Sequence, residues 1–230
     1  MKRSEVNMIM RQADAFIRSF GFHLPPFAYW TVDEFRLQMP EAPSIVENRL
    51  GWDITDFGAG NFGKFGLFLF TTRNGSTADL VAGRGKLYAE KIMISRRDQV
   101  TPMHRHNVKV EDIINRGGAK LVLELFMSDI IGSIDRRAEV VVDTDGLARR
   151  LPPGGKLTLS PGESATLVPG IWHSFVAEGG DVLIGEVSTV NDDLTDNVFE
   201  QPIGRFADIY EDEAPLHLLV SDYGKFLGKT

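Results

Sequence analysis

The stretch Val100–Gly118, V-T-P-M-H-R-H-N-V-K-V-E-D-I-I-N-R-G-G, concentrates side chains able to hold a metal ion. His104 and His106 are two apart, Lys109 comes three later, and Glu111 two after that. A third histidine, His173, stands in P-G-I-W-H, and the chain has only five histidines in all. Alternate residues of a strand share a face, so His104 and His106 project to one side about 7 Å apart by strand rise. Glu111 has the wrong parity for that strand, and a turn around residues 107–110 would bring it back. With His173 arriving from a distant strand, the set becomes three imidazoles and one carboxylate. Such a shell without sulfur suits Mn²⁺, Fe²⁺, Co²⁺, Ni²⁺ or Zn²⁺ and leaves positions open for substrate or water. An isolated H-x-H is common by chance. The spaced glutamate, the glycine beyond it and the P-G-x-x-H segment together point to a metal.

Composition removes several alternatives. Cysteine is absent, which excludes disulfides, thiolate-bound zinc, iron–sulfur clusters and thiol catalysis. A net charge of −7 without a basic cluster argues against nucleic acid or an anionic membrane surface as partner. The N-terminal M-K-R-S-E-V-N lacks the apolar run of a signal peptide. No segment approaches the ~18 apolar residues of a membrane span, so a cytoplasmic location is expected.

The elements that must position these residues are mostly strands. Val6, Ile9, Met10, Ala13, Phe16, Ile17 and Phe20 form one stripe of a helix, with Ser4 as its expected N-cap and Gly21 as its stop. Thr31-x-x-Glu34 and Ser44-x-x-Glu47 match the capping box and predict two short helices. From Leu67 the period changes to that of strands, predicted at 67–73, 86–95, 119–127, 138–144, 156–160, 164–168, 173–177 and 181–188. Asn74-Gly75 predicts a hairpin, and Gly179-Gly180 a turn. Eight or nine short strands favour a barrel or sandwich over a parallel α/β sheet. All-β units of ~200–250 residues are commonly single, so one domain is expected over 1–230. Its expected parts are a helical and loop extension (1–66), a barrel core (67–190) and a C-terminal extension (191–230).

Two motifs carry a resemblance. H-x-H-x4-E-x6-G (His104, His106, Glu111, Gly118) is similar to the first cupin motif, and P-G-x-x-H (Pro169, Gly170, His173) resembles the second. The second departs from the pattern, with Pro and Gly adjacent and Ala177 where cupins often carry Asn, but neither change removes a ligand. H-L-P-P-F (23–27), L-G-W-D-I-T-D-F-G (50–58), Y-A-E-K-I-M (88–93), Q-V-T-P-M-H (99–104), E-D-I-I-N-R-G-G (111–118) and G-E-V-S-T-V-N-D-D (185–193) look like the D-lyxose ketol-isomerases. The resemblance implies a mainly β cupin (jelly-roll) barrel with an N-terminal helical extension, a sugar substrate, Mn²⁺ or a related divalent ion, and a homodimer. It further implies that His104, His106, Glu111 and His173 ligate the metal, with Lys91 and Lys109 facing the sugar.

Aldose–ketose isomerisation removes a proton beside a carbonyl, so it needs charge stabilisation and a base. Glu111 and Glu186 are the candidate bases, and ligation would weaken Glu111 in that role. Lys109 could hydrogen-bond the developing oxyanion. Asp193 and Arg205 are candidates for sugar hydroxyls, against a loop cap and a surface ion pair. His23 and His217 lack ligand-like neighbours and read as structural, and Trp172 as packing. The rivals are an Fe²⁺-dependent cupin dioxygenase and a non-catalytic sugar-binding or accessory protein.

Overall fold

The computed structural model describes residues 1–228, so the end of the expected C-terminal extension, 229–230, lies outside the described residues. The chain opens with helix α1 (Arg3–Ser19), a 3-10 turn (Pro26–Tyr29) and short helices α2 (Val32–Gln38) and α3 (Pro43–Glu47). Strands β1 (Gly51–Thr55) and β2 (Leu67–Arg73) precede helix α4 (Thr77–Ala82). Next come β3 (Tyr88–Ser95), β4 (Val100–His106), β5 (Glu111–Ser128), β6 (Ile134–Asp135), β7 (Val140–Thr144) and β8 (Leu147–Leu151). The last strands are β9 (Gly155–Leu159), β10 (Ser164–Leu167), β11 (Ile171–Thr189) and β12 (Asn197–Phe199), before the helical turn α5 (Tyr223–Phe226).

All twelve strands join one sheet in the order β1-β2-β3-β11-β5-β10-β7-β8, with β4 on β11, β12 on β4, and β6 and β9 on β5. Its spine is the antiparallel pair β5–β11. The segments expected as separate strands at 173–177 and 181–188 are one strand, β11, and Gly179-Gly180 is a bend inside it. The register shifts there, between Glu178 and Val182. Gly118 is the matching corner on β5: it holds φ +98°, and a Cβ on it would lie 2.3 Å from the Asp181 carbonyl oxygen. Only glycine fits so close an approach.

Side-chain parity explains why β2 and β3 bury apolar residues on both faces. Leu67, Leu69 and Met93 face the barrel interior with Leu121, Leu123, Leu125 and Phe175. Phe68, Phe70, Ile92 and Ile94 face the other way, onto Val6, Ile9, Met10 and Ile17 of α1. Each such side chain contributes roughly 1.5–3 kcal/mol on burial, so docking on the sheet outweighs the propensity of the isolated helix. A third cluster joins Phe35, Ile45, Leu50, Leu218 and Tyr223, tying α2 and α3 to the C-terminal segment.

Several local expectations are corrected. Ser4 does not cap α1, which begins at Arg3. Its backbone N–H and hydroxyl both donate to Asp212, at 2.9 and 2.7 Å, so a distant carboxylate meets the need of the first turn. The capping box at Thr31 is present in full, but α3 starts at Pro43 after Ala42, without a side-chain cap from Ser44. Asn74-Gly75 makes no tight hairpin. Asn74 instead bridges the carbonyls of Asn48 and Asn191, and α4, capped by Ser76, fills the connection. The region read as helices and loop (1–66) also contains β1, which pairs with β2. Among the described residues no helix is long and apolar enough to cross a membrane.

Candidate metal centre and active site

β4 delivers His104 and His106 to the barrel interior, and β11 sets His173 directly opposite His104. Backbone register therefore fixes the first contact, with the His104 and His173 ring centroids 4.1 Å apart. One ligand nitrogen from each of His104, His106 and His173 lies within 4.8 Å of the others. The turn 107–110 returns the chain so that Glu111, the first residue of β5, points into the same space. Its Oε1 lies 3.2 Å from His106 Nε2 and 3.1 Å from His173 Nε2. These are close approaches without hydrogen-bond angles: His106 Nε2, His173 Nε2 and Glu111 Oε1 are all buried and unpartnered.

Buried polar atoms are rarely left unpaired, and here the unpaired atoms of Glu111, His106 and His173 converge. His104 Nδ1 lies 2.8 Å from the Pro102 carbonyl oxygen and His173 Nδ1 3.2 Å from that of Ile171. Carbonyls accept only, so both rings carry the proton on Nδ1 and turn the Nε2 lone pair inward. Two ligands at right angles on one ion at ~2.1 Å would stand roughly 3.0 Å apart, close to the Glu111–histidine separations. The residues present fit a divalent cation.

The electrostatics agree. Burial, then the neighbouring His173 and His106, push His104 well below the usual imidazole range. Burial and the Lys109 ammonium lower His106 as well. Neutral imidazoles are the ligating form. Burial alone would raise Glu111, but the Lys109 cation prevails and holds it well below the carboxylate range. Lys109 is itself pulled down by burial and kept above its ordinary value by Glu111 and Glu186.

From Glu111 a line of alternating charges runs along the cavity. Lys109 Nζ sits 2.5 Å from Glu111 and 3.0 Å from Glu186. Glu186 Oε1 is 3.3 Å from Lys91 Nζ, which is 3.9 Å from Asp193. Arg205 then pairs with Asp193 at 3.3 Å and with Asp53 at 2.7 Å. Sheet register makes the middle of this line, because Glu186 of β11 lies opposite Lys91 of β3. Burial raises Glu186, and Lys109 and Lys91 more than reverse it. Burial raises Asp53 too, and there it exceeds the opposing pull of Arg205.

All the residues singled out from sequence (Lys91, His104, His106, Lys109, Glu111, His173, Glu186, Asp193 and Arg205) border this one cavity. Arg205 is no surface ion pair: its side chain is 13% exposed, and its Nη1 is buried without a partner. His217 lies apart, stacked on Trp52 at 5.9 Å and 10°. Trp172 is buried beneath Arg105, outside the cavity lining.

Sequence reasoning missed Asp53, Asn191 and Asp196. Asn191 accepts from Lys91 Nζ at 2.6 Å. Asp196 accepts from the backbone N–H groups of Asn107, Val108 and Lys109 at 3.0, 2.8 and 3.0 Å. It thereby fastens the turn between β4 and β5, and its Oδ2 is 3.6 Å from His106 Nδ1. The acidic run N-D-D-L-T-D-N held the signal for both Asn191 and Asp196.

Comparison with known proteins bears on the family. A model of the D-lyxose isomerase family matches residues 1–223. The chain belongs to that family. A D-lyxose/D-mannose isomerase of Serratia proteamaculans is 47% identical over 231 residues, covering 99% of this chain and 100% of that protein. Another, from Escherichia coli O157:H7, is 46% identical over 98% of this chain and 100% of its own. D-lyxose isomerase family membership makes the chain an aldose–ketose isomerase. Among solved structures, the L-ribose isomerase of Cellulomonas parahominis with L-psicose superposes with a TM-score of 0.61 at 14% identity, covering 91% of this chain and 98% of that one. The L-ribose isomerase of Acinetobacter sp. DL28 with L-ribose gives 0.60 at 15% identity over the same shares. These two establish the fold alone: mainly β and cupin-like, as the two motifs implied.

Proposed function

We propose that the protein interconverts D-lyxose with D-xylulose and D-mannose with D-fructose, at a divalent metal held by His104, His106, Glu111 and His173. The observation that carries this reading is the convergence of unpartnered Nε2 and Oε1 atoms on a cavity that paired lysines and carboxylates also line. When bound, the metal polarises the sugar carbonyl and stabilises negative charge on its oxygen, which is worth several kcal/mol. Mn²⁺ is the ion we assign, and the cytoplasm and a homodimer are the setting we infer.

The chain's own groups divide the remaining work. Glu111 would give its unpartnered Oε1 to the metal and already has Oε2 on Lys109, which leaves Glu186 to take the C2 proton and return it to C1. Flanked by two lysines, Glu186 is ionised at neutral pH and able to accept. Lys109 donates to the oxyanion that develops as the proton leaves. Lys91, Asp193 and Arg205 hold hydroxyls further along the sugar, with the free Nη1 of Arg205 as one ready donor.

The test is a panel of aldoses and ketoses incubated with Mn²⁺-loaded protein, following isomer formation. Isomer from D-lyxose and D-mannose is expected, with loss on chelation. Oxygen uptake without isomer would replace this reading with a dioxygenase. A sugar-dependent rise in Tm without turnover would replace it with a binding protein.

A further inference from the structure

Beside the line of charges the cavity has an apolar wall, and Phe57 is its least expected member. It holds φ +54°, a region that bulky residues seldom adopt. Arg49, Asp98 and Asp145 are the other non-glycine residues with positive φ among the described residues, so Phe57 is the one aromatic in that conformation. The backbone is braced there. Thr55 Oγ1 accepts from the Phe57 N–H at 2.9 Å and donates to the Arg205 carbonyl at 2.9 Å. The Asp56 carboxylate accepts from the N–H groups of Gly58 and Gly60 at 3.1 Å each.

The brace turns the Phe57 ring inward, where it is buried at 6% exposure. It packs edge-on against Phe199 (5.8 Å, 67°), whose ring lies 5.7 Å from that of His104. On its far side lies a second cavity of about 530 Å³, bordered by Phe65, Met103, Phe126 and Ile203. By the same measure the free space in the site is about 40 Å³, room for roughly three water-sized groups. Among the described residues, Phe57 is the one that borders both spaces.

We propose that Phe57 sets the length of sugar chain the site accepts, standing where carbons beyond the short-sugar limit would otherwise run into the outer cavity. The inference rests on the isomerase reading for the identity of the ligand. With the reacting carbons at the histidines and hydroxyls along the line of charges, the chain end arrives beside Arg205, which Thr55 ties to Phe57. A hydroxymethyl extension meeting that ring loses both room and hydrogen-bond partners. Retaining phenylalanine at a backbone position suited to glycine is accounted for by this wall.

The experiment compares Mn²⁺-loaded wild type, Phe57→Gly and Phe57→Leu on aldoses of five, six and seven carbons matched at C2 and C3. Both kcat/KM and, by calorimetry, Kd are measured, alongside metal content and Tm. Glycine adopts the same φ without strain, so the loop path is kept. Phe57→Gly is expected to raise the seven- to five-carbon ratio about tenfold or more, the scale of one extra carbon in a closed pocket, with metal content unchanged. Phe57→Leu should move it less, in the same direction. Ratios within twofold of wild type, in a variant that still melts cooperatively, overturn the proposal, and Phe57→Leu decides if Phe57→Gly does not fold. Wild type that binds these sugars but turns over none removes the isomerase reading, while the Kd ratios still decide chain length. Wild type that binds none removes both.

Discussion

Two buried ionic clusters in this molecule look alike in a residue list and differ in what they leave unpaired. At one end of α1, Arg3 is fully buried and makes four hydrogen bonds of 2.8–2.9 Å, two to Glu211 and two to Asp222. Both carboxylates meet the guanidinium fork with two oxygens, and no Arg3 nitrogen is left over. In the barrel, the line from Glu111 to Asp53 is also buried, yet Glu111 Oε1, Arg205 Nη1 and three imidazole nitrogens of His106 and His173 have no partner. The first cluster is complete by itself and clamps the chain's two ends together. The second is complete only with something else bound. Unsatisfied valence, rather than buried charge, separates the site from the scaffold.

The contrast can be broken by removing members of each cluster. His173→Ala deletes a buried nitrogen that no other protein group uses. Activity should fall by more than roughly 10³-fold with loss of bound metal, while the apo protein keeps a cooperative melt. Full activity in a metal-free preparation of wild type would end the metal reading. Lys109→Met removes the cation between Glu111 and Glu186. Turnover should drop by about 10²–10⁴-fold with metal still bound, measured by steady-state kinetics and elemental analysis. Unchanged turnover would make Lys109 a structural counter-ion. Arg3→Met should do the reverse. Leaving the buried Asp222 without its cation, with Glu211 keeping only Lys225, costs about 3–5 kcal/mol of stability in urea unfolding, while kcat/KM of the folded fraction stays within twofold. Loss of activity without loss of stability would dissolve the distinction between the clusters.

The chemistry was legible in the sequence and much of its framing was not. H-x-H followed by Glu is local information, since strand parity and one short turn bring these residues together. His173 was reachable through its motif, and Glu186 through its alternation with Ile184 and Ser188. Asp53 escaped because β1 is buried on both faces, so no alternation marks it as a strand. Asp196 escaped because an acidic loop reads as solvated until its carboxylate is seen to gather three backbone N–H groups. Ser4 and Asn74 were misjudged for one reason: local caps and turns yielded to partners more than a hundred residues away, Asp212 and Asn191. Phe57 carried no signal at all, because a positive φ at phenylalanine is imposed by the bracing of its loop.

The smallest expected effect is on pH, where the site histidines give an upper window and the depressed carboxylates of both clusters give a lower one. Glu211 is held at about 2 by its hydrogen bonds to Arg3, against 4.5 ordinarily. Its folded pKa is depressed, so its contribution is fully present above about pH 4.5 and is lost as pH falls towards 2. His104 and His106 are depressed from 6.5 by burial first of all. Below pH 6.5 the unfolded chain binds protons that these folded imidazoles resist, so metal-free stability falls from 6.5 downward. Urea unfolding of the metal-free protein from pH 7.5 to 3 should therefore show two declines. Arg3→Met should flatten only the lower one, and His104→Gln only the upper. If Arg3→Met flattened the upper decline, the two clusters would be one coupled system and the contrast between them would fail.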